Sequence, residues 1–419
     1  MNRVSKLSKN ATGRARLYGD ITCGRIKRMG SPSMNSSIYL DHNATTPLLP
    51  EVLKAMREVW AEGPANPAST HSYGRRARRQ LEDARESIGQ ALGAEIDRFD
   101  GDRLIFTSGG TESNQLALHG LVVPTPPVPA PRVLISTIEH PSLVGAAMQL
   151  AERGGIVDRL PVDRHGVVEI ERLDDLLRPE TRLVSVMAAN NETGVVQPLE
   201  AIIARCATGG VAVHSDASQL VGKLPIHFGQ LGLTAMTFTA HKLHGPVGIG
   251  ALIVRRGVEL RPLWQGGFQQ AGLRPGTEAL ALVVGFGKAV ELWQREQRQR
   301  QQRMGELRDR FEAQLLAEWP NIVVHGRDAL RTPHTSCLGF PWVDRQALVV
   351  ALDLAGVACS TGSACASGSS EPSPVLLAMG VSRNVVQGSL RFSLGSTTTA
   401  AEVDLAVAKI TATLRTFGR

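Results

Sequence analysis

Cysteine is scarce, and long apolar runs are missing. The chain has 419 residues and five cysteines, an odd number, and none of them shows the paired spacing of a zinc site. That pattern fits free thiols in a reducing compartment, and no metal is expected. The most apolar stretches, around 280–286 and 347–358, are broken by Gly or Asp. Neither is long enough for a membrane helix, so no membrane association is expected. With 42% hydrophobic and 20% charged residues, the composition is ordinary for a globular protein.

The formal net charge of +7 suggests a nucleic-acid partner only until it is located. Residues 1–36 hold eight of the 46 Lys and Arg and one of the 39 acidic residues, Asp20. From residue 37 onward the two signs balance, and no nucleic-acid partner is expected. The basic tail lacks the apolar core of a secretory signal. It reads as a disordered arm or as an over-extended start ahead of Met29 or Met34. A cytoplasmic location follows, with an organelle matrix as the alternative if the tail is a transit peptide.

After an extended lead-in over 37–50, helical patterns alternate with short apolar strands as far as about residue 290. The predicted strands are Leu104–Thr107, Val133–Ser136, Leu183–Met187, Val211–His214, Met236–Thr239 and Ala251–Val254. Strands alternating with helices imply an α/β fold with a mostly parallel sheet between helices. Pro124–Pro131 is a stiff connection that cannot continue a helix. A Gln/Arg-rich helix is predicted over Ala289–Trp319, with Met304, Leu307, Phe311 and Leu315 along one face. Acidic residues interspersed on its polar side favour a solvated helix joining two domains over an RNA-binding one. The expected division is thus a tail (1–36), a lead-in packing with the small domain (37–50), a large domain (51–290) and a smaller α+β domain (291–419).

The most informative stretch is Thr237-Phe-Thr-Ala-His-Lys-Leu-His-Gly-Pro246. It places Lys242 just past a strand end, where burying an ammonium is costly unless it is paired or neutralised. The cost acquires a use if the lysine forms a Schiff base with a cofactor, and pyridoxal phosphate is the usual one. Such a site also needs an acid for the pyridine nitrogen, a phosphate cradle and a ring clamp. Asp216 ends the apolar run that begins at Gly210, at a strand's carboxyl end where open α/β sheets place ligands. The turn Phe106-Thr-Ser-Gly-Gly-Thr111 leads from a strand into a helix and offers free N–H groups to an anion. Gly110, Thr111 and Thr239 are the phosphate candidates. His140, after the strand ending at Ser136, is placed to stack on the ring. His241 and His244 have the spacing of a metal pair, but no carboxylate cluster supports one.

The motifs together resemble the cysteine desulfurases of the NifS/IscS type, within the fold-type I, class V pyridoxal phosphate enzymes. They are Tyr39-Leu-Asp-His-Asn-Ala-Thr-Thr-Pro47, Asn66-Pro-Ala-Ser69, Phe106-Thr-Ser-Gly-Gly-Thr-Glu-Ser113, Asn190-Asn-Glu-Thr-Gly194, Asp216-Ala-Ser-Gln219, His241-Lys242, Leu273-Arg-Pro-Gly-Thr277, Ser360-Thr-Gly-Ser-Ala-Cys365 and Leu390-Arg-Phe-Ser-Leu-Gly395. They occur in the family's order and span nearly everything from Ile38. The resemblance implies a fold-type I transferase with Lys242 as the Schiff-base lysine, Asp216 at the pyridine nitrogen and His140 on the ring. It puts Asn191 and Gln219 near the ring hydroxyl, and Gly110, Thr111, Thr239 and His241 at the phosphate. Thr277 would reach the phosphate from a second subunit, which implies a homodimer. Arg391 and Asn66 would hold the carboxylate of the substrate, L-cysteine.

Cys365 sets the reaction. Small residues and two glycines surround it, as in a surface loop (359–373), and an exposed thiol there is placed to react. Cys206, Cys337 and Cys359 read as packing thiols. Asp41, His42 and Asn43 read as structural in the lead-in, with lining of the site as the lesser alternative. The resemblance implies a Cys365 persulfide whose sulfur passes to a protein acceptor. Gln270-Ala271 stand where the family commonly has Glu-Arg, and only 28 residues follow Arg391. The acceptor is therefore open between an iron–sulfur scaffold and a tRNA-thiolation relay. Another class V activity (selenocysteine lyase, aminotransferase or kynureninase) and a non-catalytic sulfur carrier are the alternatives.

Overall fold

The computed structural model describes residues 37–96, 100–122, 130–362 and 371–418. The basic tail with Cys23, most of the proline-rich connection, and Cys365 lie outside the described residues. Residues 38–418 form one compact unit.

The strands are β1 (Ile38–Tyr39), β2 (Arg103–Thr107), β3 (Arg132–Ser136), β4 (Ile156–Leu160), β5 (Thr181–Ser185), β6 (Ala212–Asp216), β7 (Ala235–Thr239), β8 (Gly250–Val254), β9 (Val323–Val324), β10 (Thr335–Gly339), β11 (Val357–Ala358) and β12 (Ser389–Ser393). Seven of them form one mixed sheet in the order β2-β8-β7-β6-β5-β3-β4. From β7 to β4 the neighbours are parallel, whereas β8 runs antiparallel to both β2 and β7. The interior strands are largely buried on both faces and read in sequence as short apolar runs, with buried polar residues such as His214, Ser215 and Asp216 toward the end of β6. β4 was not expected. It is an edge strand whose apolar run is broken by Asp158 and Arg159, only its last residue is buried, and its Asp158 pairs with Arg132 of β3.

The other edge, β2, is finished by a side chain. Gln270 accepts from Phe106 N at 2.7 Å and donates to Phe106 O at 2.8 Å, so its amide stands where a further strand would pair. Gln270 and Ala271 hold left-handed backbone, at φ 51° and 57°.

The helix Leu280–Glu318 extends the predicted one at its start. Over Leu280–Trp293 it is buried nearly all round, leaving no amphipathic period to read. Its first half belongs to the core beneath the large sheet, while Leu307, Phe311 and Leu315 belong to a second core with Phe340, Phe392 and Ile410. That second core lies against the antiparallel sheet β12-β10-β9, and the lead-in residues Ile38 and Leu40 pack into it.

Candidate active site

β3, β5, β6 and β7 run parallel and end at one edge of the large sheet. Their carboxyl ends and the segments that follow carry His140, Asn191, Asp216 and Lys242, which the topology therefore brings to one place. Asp216 is the last residue of β6 and lies opposite Thr237 of β7. Its Oδ1 accepts from Ser218 N at 2.9 Å and its Oδ2 from Asn114 Nδ2 at 2.7 Å. Lys242 follows in the 3-10 turn Ala240–Lys242, and its Nζ donates to the carbonyls of Asn43 and Ala44, the latter at 2.7 Å. His140 caps the helix Pro141–Glu152, its Nδ1 accepting from Ser142 N at 3.2 Å.

The helix Gly110–Leu121 opens on Gly109 and Gly110, and no side chain caps its first turn. Its N–H groups and positive dipole end suit a phosphate. β8 passes close behind this turn: a Cβ on Gly250 would sit 2.6 Å from the carbonyl carbon of Gly109, so only glycine fits. Thr111 is exposed at the helix start. The Thr239 hydroxyl is buried and donates to Ile249 O at 3.0 Å, fastening β7 to the segment before β8. The His241 ring lies 3.2 Å from the Thr45 hydroxyl, and burial, then Lys242 and Lys223, push its pKa down to about 4. The helix start is tied to the loop that carries Thr277: Arg274 grips Glu112 at 2.8 Å. Thr277 itself is exposed.

The substrate side is built on β12. Arg391 is buried, and it donates to Asp41 at 2.6 Å and to Asn191 O at 2.8 Å. Its Nε has no partner among the described residues. Asn66 is exposed and closes its own turn, accepting from Ala68 N at 3.0 Å. Gln219 donates to Asn43 O at 3.1 Å, while its Oε1 is buried without a partner among the described residues.

These residues fit pyridoxal phosphate. Asp216 is held by donors only, the setting a carboxylate needs to face a pyridinium. An uncapped helix start flanks it, and the Gln219 Oε1 is left over for a further donor. The groups also include two that sequence reasoning passed over. Lys223 is buried and donates to the carbonyl of Lys242, and burial, then Lys242 and Arg300, bring its pKa down to about 7. Glu139 is buried beside Asp216, and burial raises its pKa to about 8. Lys223 stands in no recognisable glycine-rich or strand-end pattern, and Glu139 follows β3 next to His140, the more conspicuous residue.

Residues 38–406 match the class-V aminotransferase family. The cysteine desulfurase IscS of Dictyoglomus turgidum is 39% identical over 87% of this chain and 91% of its own length. The chain belongs to the cysteine desulfurase family. Among solved structures, a NifS-like protein superposes with a TM-score of 0.84 at 33% identity, covering 91% of this chain and all of that one. The structure of SspA in complex with cysteine superposes with a TM-score of 0.74 at 30% identity over 86% of this chain and all of that one. The fold is thus that of the fold-type I pyridoxal phosphate enzymes, and the family's cofactor is pyridoxal phosphate.

In this desulfurase-family lead-in, the lesser alternative, that it lines the site, has contacts behind it. Asp41 holds Arg391, and the Asn43 and Ala44 carbonyls hold Lys242. Among the packing thiols, Cys206 and Cys337 are buried. Cys359 is packed against the second core, and burial raises its thiol to about 12.

Proposed function

We propose that this chain is a cysteine desulfurase that takes sulfur from L-cysteine, releases L-alanine and holds the sulfur as a Cys365 persulfide. The observation that carries this reading is the shared sheet edge, where Asp216, Lys242 and His140 meet beside the buried Arg391. Bound pyridoxal phosphate supplies an electron sink that permits loss of the substrate α-proton. Asp216 keeps the ring nitrogen protonated. Lys242 Nζ anchors the cofactor, takes the α-proton and returns it to the α-carbon; the carbon that becomes the alanine methyl takes the proton given up when the Cys365 thiol ionises. Arg391 binds the substrate carboxylate through its planar fork. The Cys365 thiolate attacks the substrate sulfur; the S–S bond forms as the S–Cβ bond breaks, and its electron pair stays with carbon.

The remaining assignments belong to the same reading. Asn191 and Gln219 serve the ring hydroxyl; Gly110, Thr111, Thr239 and His241 serve the phosphate; Asn66 assists Arg391. Thr277 reaches the phosphate of a second subunit in a homodimer. Residues 51–290 and 291–419 act as large and small domains. The sulfur goes to an iron–sulfur scaffold or a thiolation relay, in a cytoplasmic setting.

Purified protein supplied with L-cysteine and a reductant should release alanine and sulfide. Cys365→Ala should keep the cofactor's visible band and release essentially no alanine, because losing a covalent nucleophile costs several orders of magnitude in rate. Cys359→Ala should change the rate little. Near-normal alanine release from Cys365→Ala would point instead to a lyase that needs no thiol.

A further inference from the structure

Two side chains, Asn114 and Ser142, form a hydrogen-bonded line between the residue assigned to the cofactor's ring nitrogen and the one assigned to stack on the ring. Asn114 Nδ2 donates to Asp216 Oδ2 at 2.7 Å and to Ser142 Oγ at 2.9 Å, and Ser142 Oγ lies 2.8 Å from His140 Nδ1. Asn114 is fully buried.

The direction of this line follows from what each group is able to do. The other Asp216 oxygen already accepts from Ser218 N at 2.9 Å, and a carboxylate only accepts. Asn114 must therefore turn its NH₂ toward Asp216, because its carbonyl would face another acceptor. The carbonyl is left buried and without a partner among the described residues, a cost that this orientation imposes. The second hydrogen of the NH₂ goes to Ser142 Oγ, which accepts it. A hydroxyl has one hydrogen, and that of Ser142 is left for His140 Nδ1. The Ser142 backbone N–H converges on the same nitrogen at 3.2 Å. With two donors aimed at it, Nδ1 presents a lone pair, and the proton of the neutral ring sits on Nε2.

We infer that Ser142 is a positioning residue that fixes His140 as its Nε2–H tautomer and ties that choice, through Asn114, to Asp216. The inference rests on the proposed placement of Asp216 and His140 at the cofactor for its catalytic meaning, though not for its geometry. Neutral His140 then reaches its surroundings as a donor through Nε2. It is the form suited to give a proton or a hydrogen bond, so removing the thiol proton of free substrate falls to another base, or to His140 only after it has first given its own proton away. Cysteine desulfurase chemistry needs both a base and an acid, and Ser142 decides which of them the resting histidine is.

The test is ¹⁵N NMR of the holoenzyme labelled at histidine, with His140→Gln to assign the resonance. In the wild type, Nδ1 should resonate as an unprotonated and Nε2 as a protonated ring nitrogen. Ser142→Ala removes one of the two donors and should lower the preference for the Nε2–H form about fivefold, the worth of one neutral hydrogen bond. Ser142→Thr should restore it. An Nδ1–H tautomer in the wild type, or an unchanged ratio in Ser142→Ala, would overturn the inference. The tautomer is read on the protein itself, so an unchanged visible band in His140→Gln would overturn only the cofactor placement.

Discussion

Glu139 is a carboxyl group in a place that disfavours its charge. Ser136 Oγ and Met187 N both reach its Oε1, while its Oε2 is buried with no partner among the described residues. Burial is the main cause of its raised pKa, with Asp216 adding to it, while Ser136, Met187 and Arg159 oppose. Its ordinary value of 4.5 becomes about 8 in the fold. Between these values the folded state binds more protons than the unfolded one, so this group makes stability fall as pH rises. Glu139→Gln mimics the protonated form and keeps an oxygen for both donors. The variant should lose that downward slope and be more stable than the wild type at pH 8, with little difference near pH 4.5. Urea midpoints across the range measure it, and parallel slopes for the two proteins would refute the assignment. How far the site could be read from the sequence follows the same logic of side chain against backbone. Lys242, Asp216 and His140 stand just past apolar runs, where a reader looks for them. The groups that hold Lys242 are the carbonyls of Asn43 and Ala44, and every residue has a carbonyl. The pairing of Arg391 with Asp41 joins positions 350 apart in the chain, which a single sequence does not encode locally.

At the scale of elements, the large sheet differs at its two edges. β4 ends it with charges on the strand itself. β2 ends in a strand whose outward groups at Phe106 are covered by one amide. Gln270→Ala should lose both hydrogen bonds and keep the left-handed backbone, costing about 1–2 kcal/mol. Gln270→Gly loses the same bonds but relieves the backbone, and should be the more stable variant by about 1 kcal/mol. Equal urea midpoints for Ala, Gly and wild type would show that the amide does not secure the edge. The predicted strands from Leu104 to Val254 were legible because strands buried on both faces are built around short apolar runs, even where polar residues finish them. β4 was not, because an edge strand has no such need. The start of the helix Leu280–Glu318 was missed for the opposite reason: surrounded by protein, it has no polar face to mark its period.

At the scale of the whole molecule, that helix runs through both cores, so neither can lose its packing without loosening the other. The exposed position of Thr277, on a loop fastened by Arg274 to the helix that carries Thr111, supports a site completed by a second copy. Dilution to monomer should then cost cofactor affinity together with activity, as followed by sedimentation and the visible band; a monomer that keeps both would contradict the dimeric reading. The lead-in adds a constraint of another kind. Residues 38–44 leave the ribosome early, yet their partners are Gly356 and Ala358, Lys242, Arg391 and Ser393. A chain still being translated holds its reactive lysine long before it holds the arginine. Its first segment meets Lys242 part-way and must wait for its other partners, residues 356–393, until near the end. On the proposed role of Arg391, a product truncated before β12 lacks the group that binds the substrate carboxylate and should release no alanine from L-cysteine.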